Sequence, residues 1–386
     1  MHSFFLPSGT LMSAKKTTRV NDILGLINGL YPPALAEDWD NVGLQVGDGR
    51  ATVNRVLVCL DPGAAALQQA EQMGAQMVIA HHPLIFRPLK RLSPVDETGQ
   101  VLFRAVQQGI AVVSAHTNLD RAADGLNDWL AERLGLQQAT PLEQAGGDLL
   151  KLVVYVPRGH EEKVLDSLFG AGAGQVGDYD RCSFRVAGTG SFRPGAGTDP
   201  FIGQPGTTET VEEVRLETIL PKHLLRKAVS KMIQAHPYEE VAYDLIPLNN
   251  GRHDIGLGRI GWLPQPVSVA EFSAQIKERL GLSALRLAGP TDRPLKKIAV
   301  CGGSGVSLFG EARRQGADCL VTGDVKYHDA QRARSEGMLL VDAGHFATEH
   351  LMVAGLAKKL QVAADDRQLP VEFIEMNTEV DPFELI

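Results

Sequence analysis

The residues best equipped for chemistry are histidines and carboxylates placed at the ends of apolar runs. His81 and His82 are adjacent and follow the run MVIA, and Pro83 stops any continuation of that strand. Asp120 closes the segment VVSAHTNLD, with His116 four residues before it. His345 and Glu349 stand four apart just beyond an apolar run over 338–344, a spacing that puts both on one face of a helix start. Each has a plainer reading: surface or packing histidines, or Asp120 as the N-cap of the helix that RAADGLNDWL predicts. Taken together, the mixed imidazole and carboxylate set suits divalent Zn, Fe, Mn or Ni rather than Ca or Mg. Five ligands exceed the three that one catalytic metal normally takes, whereas two metals about 3.5–4 Å apart, bridged by a carboxylate, use them all. His116 orients a ligand, helps bind substrate or shuttles a proton, or else packs in the core.

The elements that must position these groups form a repeat. The first copy runs VLVCLDPG (56–63), a helix, GAQMVIAHHP (74–83), a helix and GIAVVSAHTNLD (109–120). The second runs IAVCGGSG (298–305), a helix, GADCLVTGD (316–324), a helix and GMLLVDAGHFATE (337–349). Continuous apolar strands alternating with helices predict a parallel sheet covered on both faces. In such sheets the ligand crevice lies beyond the carboxyl ends of the strands, which is where the candidate ligands fall. Asp324 and Lys326 sit at the repeat-equivalent place of His82, facing the same cavity or simply ending a strand. CGGSGVSLFG (301–310) is a weak phosphate-loop hint, because it lacks both the G-x-G-x-x-G spacing and the Walker lysine. DWDNVGLQVGD (38–48) reads as a cavity lid or as a hairpin with a buried tryptophan.

Between the copies the texture changes. Segments 151–157, 161–172, 179–192, 208–221, 222–237 and 241–248 read in the order βαββαβ, a ferredoxin-like unit. The flanks 142–148 and 249–258 read as turn-rich linkers. The expected organisation is thus an α/β core in two pieces, 19–147 and 251–386, interrupted by an α+β insert over 148–250, after a disordered tail over 1–18. That tail leaves either Met1 or Met12 as the natural start.

Composition narrows the function. With 44% hydrophobic and 22% charged residues, the chain is ordinary globular protein rather than disordered or fibrous. A net charge of -8 and the lack of a Lys/Arg cluster argue against nucleic acid as a partner. No apolar run approaches the roughly 20 residues of a membrane span, so a cytoplasmic, membrane-free protein is expected. The four cysteines are widely spaced, and three lie in apolar runs, as reduced and buried thiols do. Forty glycines exceed the usual background of about 7%. The stretch 170–206 is the richest in them, and within it the run from RPGAG to GQPGTTE (193–209) reads as a long, mobile excursion of the insert rather than a binding loop.

DWDNVGLQVGD, VIAHHPLIF, SAHTNLD, GLGRIG, LVTGDVKYHDA and DAGHFATE together resemble the NIF-three-like family, the GTP cyclohydrolase I type two homologues. HPYEEVAYDLIPL is similar to the PII/CutA-like domain of its longer bacterial members. The resemblance implies a dinuclear centre with His82 and Asp120 on one metal, His81 and His345 on the other and Glu349 bridging. It also implies a toroidal homohexamer with the sites facing an internal cavity. The activity it points to is a metal-dependent hydrolase of a small, nucleotide-like substrate. The alternative is a protein that stores, inserts or senses a metal, with the insert reading a small ligand.

Overall fold

The computed structural model describes residues 17–144, 146, 149–250 and 254–384. The expected tail therefore lies outside the described residues up to position 16, and so do parts of both expected linkers. Thr18 is itself fully buried, and its carbonyl accepts the Val53 N–H at 2.9 Å. The described chain divides into two compact units: residues up to Leu119 together with those from Glu349 onward, and Asp120–Thr348. Among the described residues no helix is long and apolar enough to cross a membrane.

The first unit holds α1 (Val20–Leu30), β1 (Gly43–Val46), β2 (Arg55–Cys59), α2 (Ala64–Met73), β3 (Met77–Ala80), α3 (Glu97–Gln108), β4 (Ala111–Ser114) and the start of α4 (Thr117–Arg121). Its chain resumes in the helix Leu351–Asp366 and the strand Glu372–Glu375. The sheet runs β1, β4, β3, β2 and then Glu372–Glu375, with only β1 antiparallel. Leu57, Cys59, Val78, Ala80 and Val112 pack against α2 and α3 in one core. The alternate residues Val56, Val58, Met77, Ile79 and Val113 are buried too. Side chains alternate across a strand, so both faces of this sheet are covered, as continuous apolar runs predict.

The second unit holds two sheets. Its elements are α5 (Leu126–Arg133), β5 (Gln137–Gln144), β6 (Leu149–Pro157), α6 (Glu161–Phe169), β7 (Phe184–Phe192), β8 (Glu209–Pro221), α7 (Leu225–Ala235) and β9 (Tyr243–Leu248). They continue with β10 (Gly256–Val267), α8 (Val269–Leu280), β11 (Arg286–Ala288), β12 (Leu295–Val300), α9 (Phe309–Arg314), β13 (Cys319–Thr322), α10 (Tyr327–Glu336), β14 (Leu339–Asp342) and α11 (His345–Glu349). One sheet runs β11, β14, β13, β12, β10, β5, with β12, β13 and β14 parallel. The other is antiparallel in the order β7, β8, β6, β9.

The two strand–helix patterns read from the sequence share a backbone feature. Gly74 and Gly316 occupy equivalent places, each ending a helix and leading into a parallel strand, with φ of 63° and 75°. Glycine takes that left-handed conformation without steric cost. Of the expected linker 142–148, residues 142–144 instead belong to the edge strand β5, with Gln144 opposite Gly256 and Glu143 opposite Leu257 on β10. The polar QQATPLEQ pattern is what an edge strand tolerates, and it hides the pairing from a periodicity reading. Cys59, Cys301 and Cys319 are buried, and all four cysteines are free thiols.

Candidate metal centre

The centre begins at the end of β3, where the ladder to β2 continues. His81 N–H donates to Cys59 O at 3.2 Å and His82 N–H to Leu60 O at 3.0 Å. Both histidines thus leave a rigid strand end. His116, two residues past β4, brings its ring within 5.1 Å of the His81 centroid and 5.7 Å of that of His82. One nitrogen from each of these three rings lies within 4.8 Å of the others, close enough to share one ion. Glu349 adds a carboxylate, 3.1 Å from His82 Nε2 and 3.8 Å from His81 Nε2. His81 is fully buried and Glu349 nearly so.

Each histidine has its Nδ1 engaged by an acceptor. His81 Nδ1 meets Ala115 O at 2.9 Å, His82 Nδ1 meets Asp61 Oδ1 at 2.8 Å, and His116 Nδ1 meets Asp40 Oδ1 at 2.9 Å. In the second unit His345 Nδ1 meets Asp324 Oδ2 at 2.8 Å. An Nδ1 that faces an oxygen carries the proton, which leaves Nε2 as the lone-pair donor of the neutral ring in His81, His116 and His345; His82 Nε2 faces Glu349, so that ring must give up a proton before it can ligate. This is the arrangement of metal-ligating imidazoles, and the donor set fits a divalent ion of the zinc-to-manganese group. Burial opposes a charge on His82, but hydrogen bonds from Asp61 and Glu349, with their charges, outweigh it and push its pKa up to about 10. Two carboxylates around one imidazole make a pocket that favours a cation.

Asp120 and His345 belong to the second unit. Asp120 lies on α4, and its carbonyl accepts Asn127 Nδ2 at 3.0 Å. His345 begins α11, one turn before Glu349 on the same short helix. Asp324, which takes a φ of 55° that Asp tolerates better than most residues, supports His345. Lys326 precedes α10 as its N-cap, and its amide donates to Asp329 Oδ2 at 3.1 Å. Gly323 lets these strand ends approach. A Cβ there would stand 2.7 Å from His345 N and 2.8 Å from Gly344 C, both backbone atoms. Gly323→Ala is therefore expected to displace the start of α11 and to cost about 1–3 kcal/mol, read as a lower Tm together with reduced metal content.

The glycine segment after β12 is no phosphate cradle. Gly302 N–H donates to Asn127 Oδ1, Gly303 N–H to Thr348 Oγ1 and Gly305 N–H to Thr322 Oγ1, at 2.9, 3.0 and 2.8 Å. A loop that binds phosphate leaves such amides for the ligand. Here they peg Thr348, and with it α11, to the sheet.

Three supporting carboxylates do not stand out in the sequence: Asp40, Asp61 and Glu379. Glu379 accepts the Leu60 and Asp61 amides at 2.8–3.0 Å and so places Asp61 beside His82. Asp40 is held by Thr117 N–H at 3.0 Å as well as by His116. Burial alone would raise its pKa, yet hydrogen bonds from His116 and Thr117 and the charge of His116 lower it to about 2. Its stabilising contribution is then complete above its ordinary value of 3.8 and drains away as the pH falls toward 2. Asp40→Asn is expected to destabilise the fold at neutral pH by on the order of 2 kcal/mol. It should also flatten the acid limb of a stability-versus-pH curve between about pH 4 and pH 2.

The segment carrying Asp40 is not a hairpin with a buried tryptophan. Trp39 is 59% exposed, and its ring stands 5.8 Å from that of Phe86 and 6.1 Å from that of His116. The segment is tied down by Asn41 Nδ2 donating to Ile85 O at 2.6 Å and Ile85 N–H to Gln45 Oε1 at 2.7 Å. Two exposed aromatic rings therefore flank the histidine cluster.

Residues 18–382 match the model of the family described as Duf34/NIF3 (NGG1p interacting factor 3). A Bacillus subtilis protein described as a GTP cyclohydrolase 1 type 2 homolog is 40% identical over 369 residues, which is 95% of this chain and 99% of that protein. A solved Bacillus cereus protein related to NIF3 is 40% identical, with a TM-score of 0.87 over 96% of this chain and 100% of its own. A solved Staphylococcus aureus protein is 29% identical, with a TM-score of 0.78 over 97% of this chain and 100% of its own. With the parallel-rich α/β sheets and the match over nearly its whole length, the chain belongs to the Duf34/NIF3 family.

Proposed function

We propose that this chain is a metal-dependent hydrolase acting on a small, nucleotide-like substrate at a dinuclear centre. The observation that carries the reading is the histidine cluster with every Nδ1 committed to an oxygen and Glu349 against the Nε2 side. In that reading His82 and Asp120 would hold one metal and His81 and His345 the other, with Glu349 shared between them. The ions, from among Zn, Fe, Mn and Ni, supply Lewis-acid polarisation of the bond under attack. His116, oriented by Asp40, moves the proton. Trp39 and Phe86 offer ring faces for a planar substrate. The description of the Bacillus subtilis relative as a GTP cyclohydrolase homologue supports a heterocycle-bearing substrate.

The same reading takes residues 19–147 and 251–386 as one split core and residues 148–250 as a ferredoxin-like, PII/CutA-like insert. The βαββαβ order of β6 to β9 supports it. It places the assembly as a toroidal homohexamer in the cytoplasm. The deciding experiment is anomalous scattering at the manganese-to-zinc edges on protein purified without added metal, joined to a turnover panel of nucleotides, phosphoesters and cyclic amides. Two metal positions and metal-dependent turnover are expected. Loaded protein that turns over nothing in the panel overturns the hydrolase and leaves metal storage or insertion.

A further inference from the structure

The glycine-rich excursion between β7 and β8 walls a cavity of about 370 Å³ built wholly from the four-stranded sheet and its connections. That volume lies in the range of small-molecule sites, roughly 300–1,000 Å³. Its wall is mostly apolar, and the rings of Tyr155, Phe192, Phe201 and Tyr238 line it. The rings are placed before any ligand arrives: Phe192 and Phe201 stand 5.9 and 6.2 Å from Tyr238. His236 fixes two of them, donating from Nε2 to Tyr155 O at 3.0 Å and accepting Tyr238 N–H on Nδ1 at 3.1 Å. Phe201 is nonetheless 53% exposed, an unusual state for a ring in an ordered aromatic cluster.

The charges in the wall are unbalanced. Glu213 and two further carboxylates line it against the single guanidinium of Arg193, and Arg193 Nε is already donating to Gly206 O at 2.9 Å. Glu213 is held in place by the Tyr238 hydroxyl, which donates to Oε1 at 3.0 Å. Aromatic faces attract cations, most strongly where water is excluded, and carboxylates do the same by charge.

We propose that this cavity is a binding site for a small organic cation, an ammonium group carrying an apolar or aromatic body. The ammonium lies among the ring faces beside Glu213, and the body covers Phe201. The site is separate from the histidine cluster, and the inference does not rest on the hydrolase reading.

The test is calorimetric titration of the full chain with three compounds of matched body: 2-phenylethylamine, 2-phenylethanol and phenylacetate. The amine is expected to bind at least about tenfold more tightly than the alcohol, and the acid most weakly. Phe201→Ala, at an exposed ring, and Glu213→Gln, which keeps the acceptor for Tyr238, should each weaken the amine by about tenfold. Glu349→Ala should leave amine binding unchanged, which separates this site from the metal centre. The proposal is overturned if phenylacetate binds as well as the amine, or if amine binding survives both insert variants or is lost in Glu349→Ala. It is equally overturned if neither 2-phenylethylamine, tetramethylammonium nor spermidine binds below about 1 mM.

Discussion

Glu349→Ala is expected to yield folded protein that has lost at least about a hundredfold in metal affinity and, on the proposed hydrolase reading, the turnover that depends on it. Loss of even a partner that only orients a ligand costs about 10–100-fold, and Glu349 does more than orient. Its two oxygens face two imidazoles at once, 3.1 Å from His82 and 3.8 Å from His81. Glu349→Gln sharpens the test, because it keeps the side-chain shape and an acceptor oxygen but removes the charge. Equilibrium metal titration against a competing chelator measures both variants. Wild-type affinity in the glutamine variant would show that charge at this position is dispensable, contrary to the proposed bridge.

The second large effect concerns stability. Arg259, in the segment GLGRIG, is only 1% exposed. Its guanidinium donates to both Asp128 oxygens, at 2.5 and 2.7 Å, and to the carbonyls of Gly256, Gly258 and Ala122, at 2.7–2.8 Å. Removing one partner of a fully buried pair strands the other at roughly 3–5 kcal/mol; Asp128 is 30% exposed, which holds the loss to the lower end of that range. Arg259→Ala is thus expected to lose that amount in chemical denaturation, a large share of the roughly 5–15 kcal/mol a domain has. The double change Arg259→Met with Asp128→Leu should recover part of it, since no charge is then left buried. A loss below about 1 kcal/mol in the single variant would mean that water reaches the site.

How much of this was legible in the sequence depended on distance along the chain. His81, His82 and the His345–Glu349 pair could be picked out because each sits at the end of an apolar strand, where a parallel sheet presents its side chains. The parallel strands themselves followed from unbroken apolar runs. The supporting carboxylates could not be found this way. Asp40 lies 76 residues from His116, and Glu379 lies 319 residues from Leu60. Only the folded sheet brings such pairs together, and neither carries a local pattern. The edge strand β5 was hidden because its polar residues imitate a linker. In the glycine-rich excursion, glycine marks freedom of the backbone, whereas Phe192 and Phe201, spaced among those glycines, line the cavity it walls.

Trp39 has an optical consequence. Trp129 donates to Asp124 at 3.2 Å and Trp262 lies under Lys297 at 5.0 Å, so both report on structural contacts. Trp39 alone combines high exposure with a ring 6.1 Å from a histidine of the cluster. Ions with a partly filled d shell drain excited indole emission at such range, and zinc does not. If the proposed centre is loaded, the fluorescence intensity of the protein as purified is expected to tell its metals apart: emission dimmed by iron or nickel and restored by a chelator, or left bright by zinc.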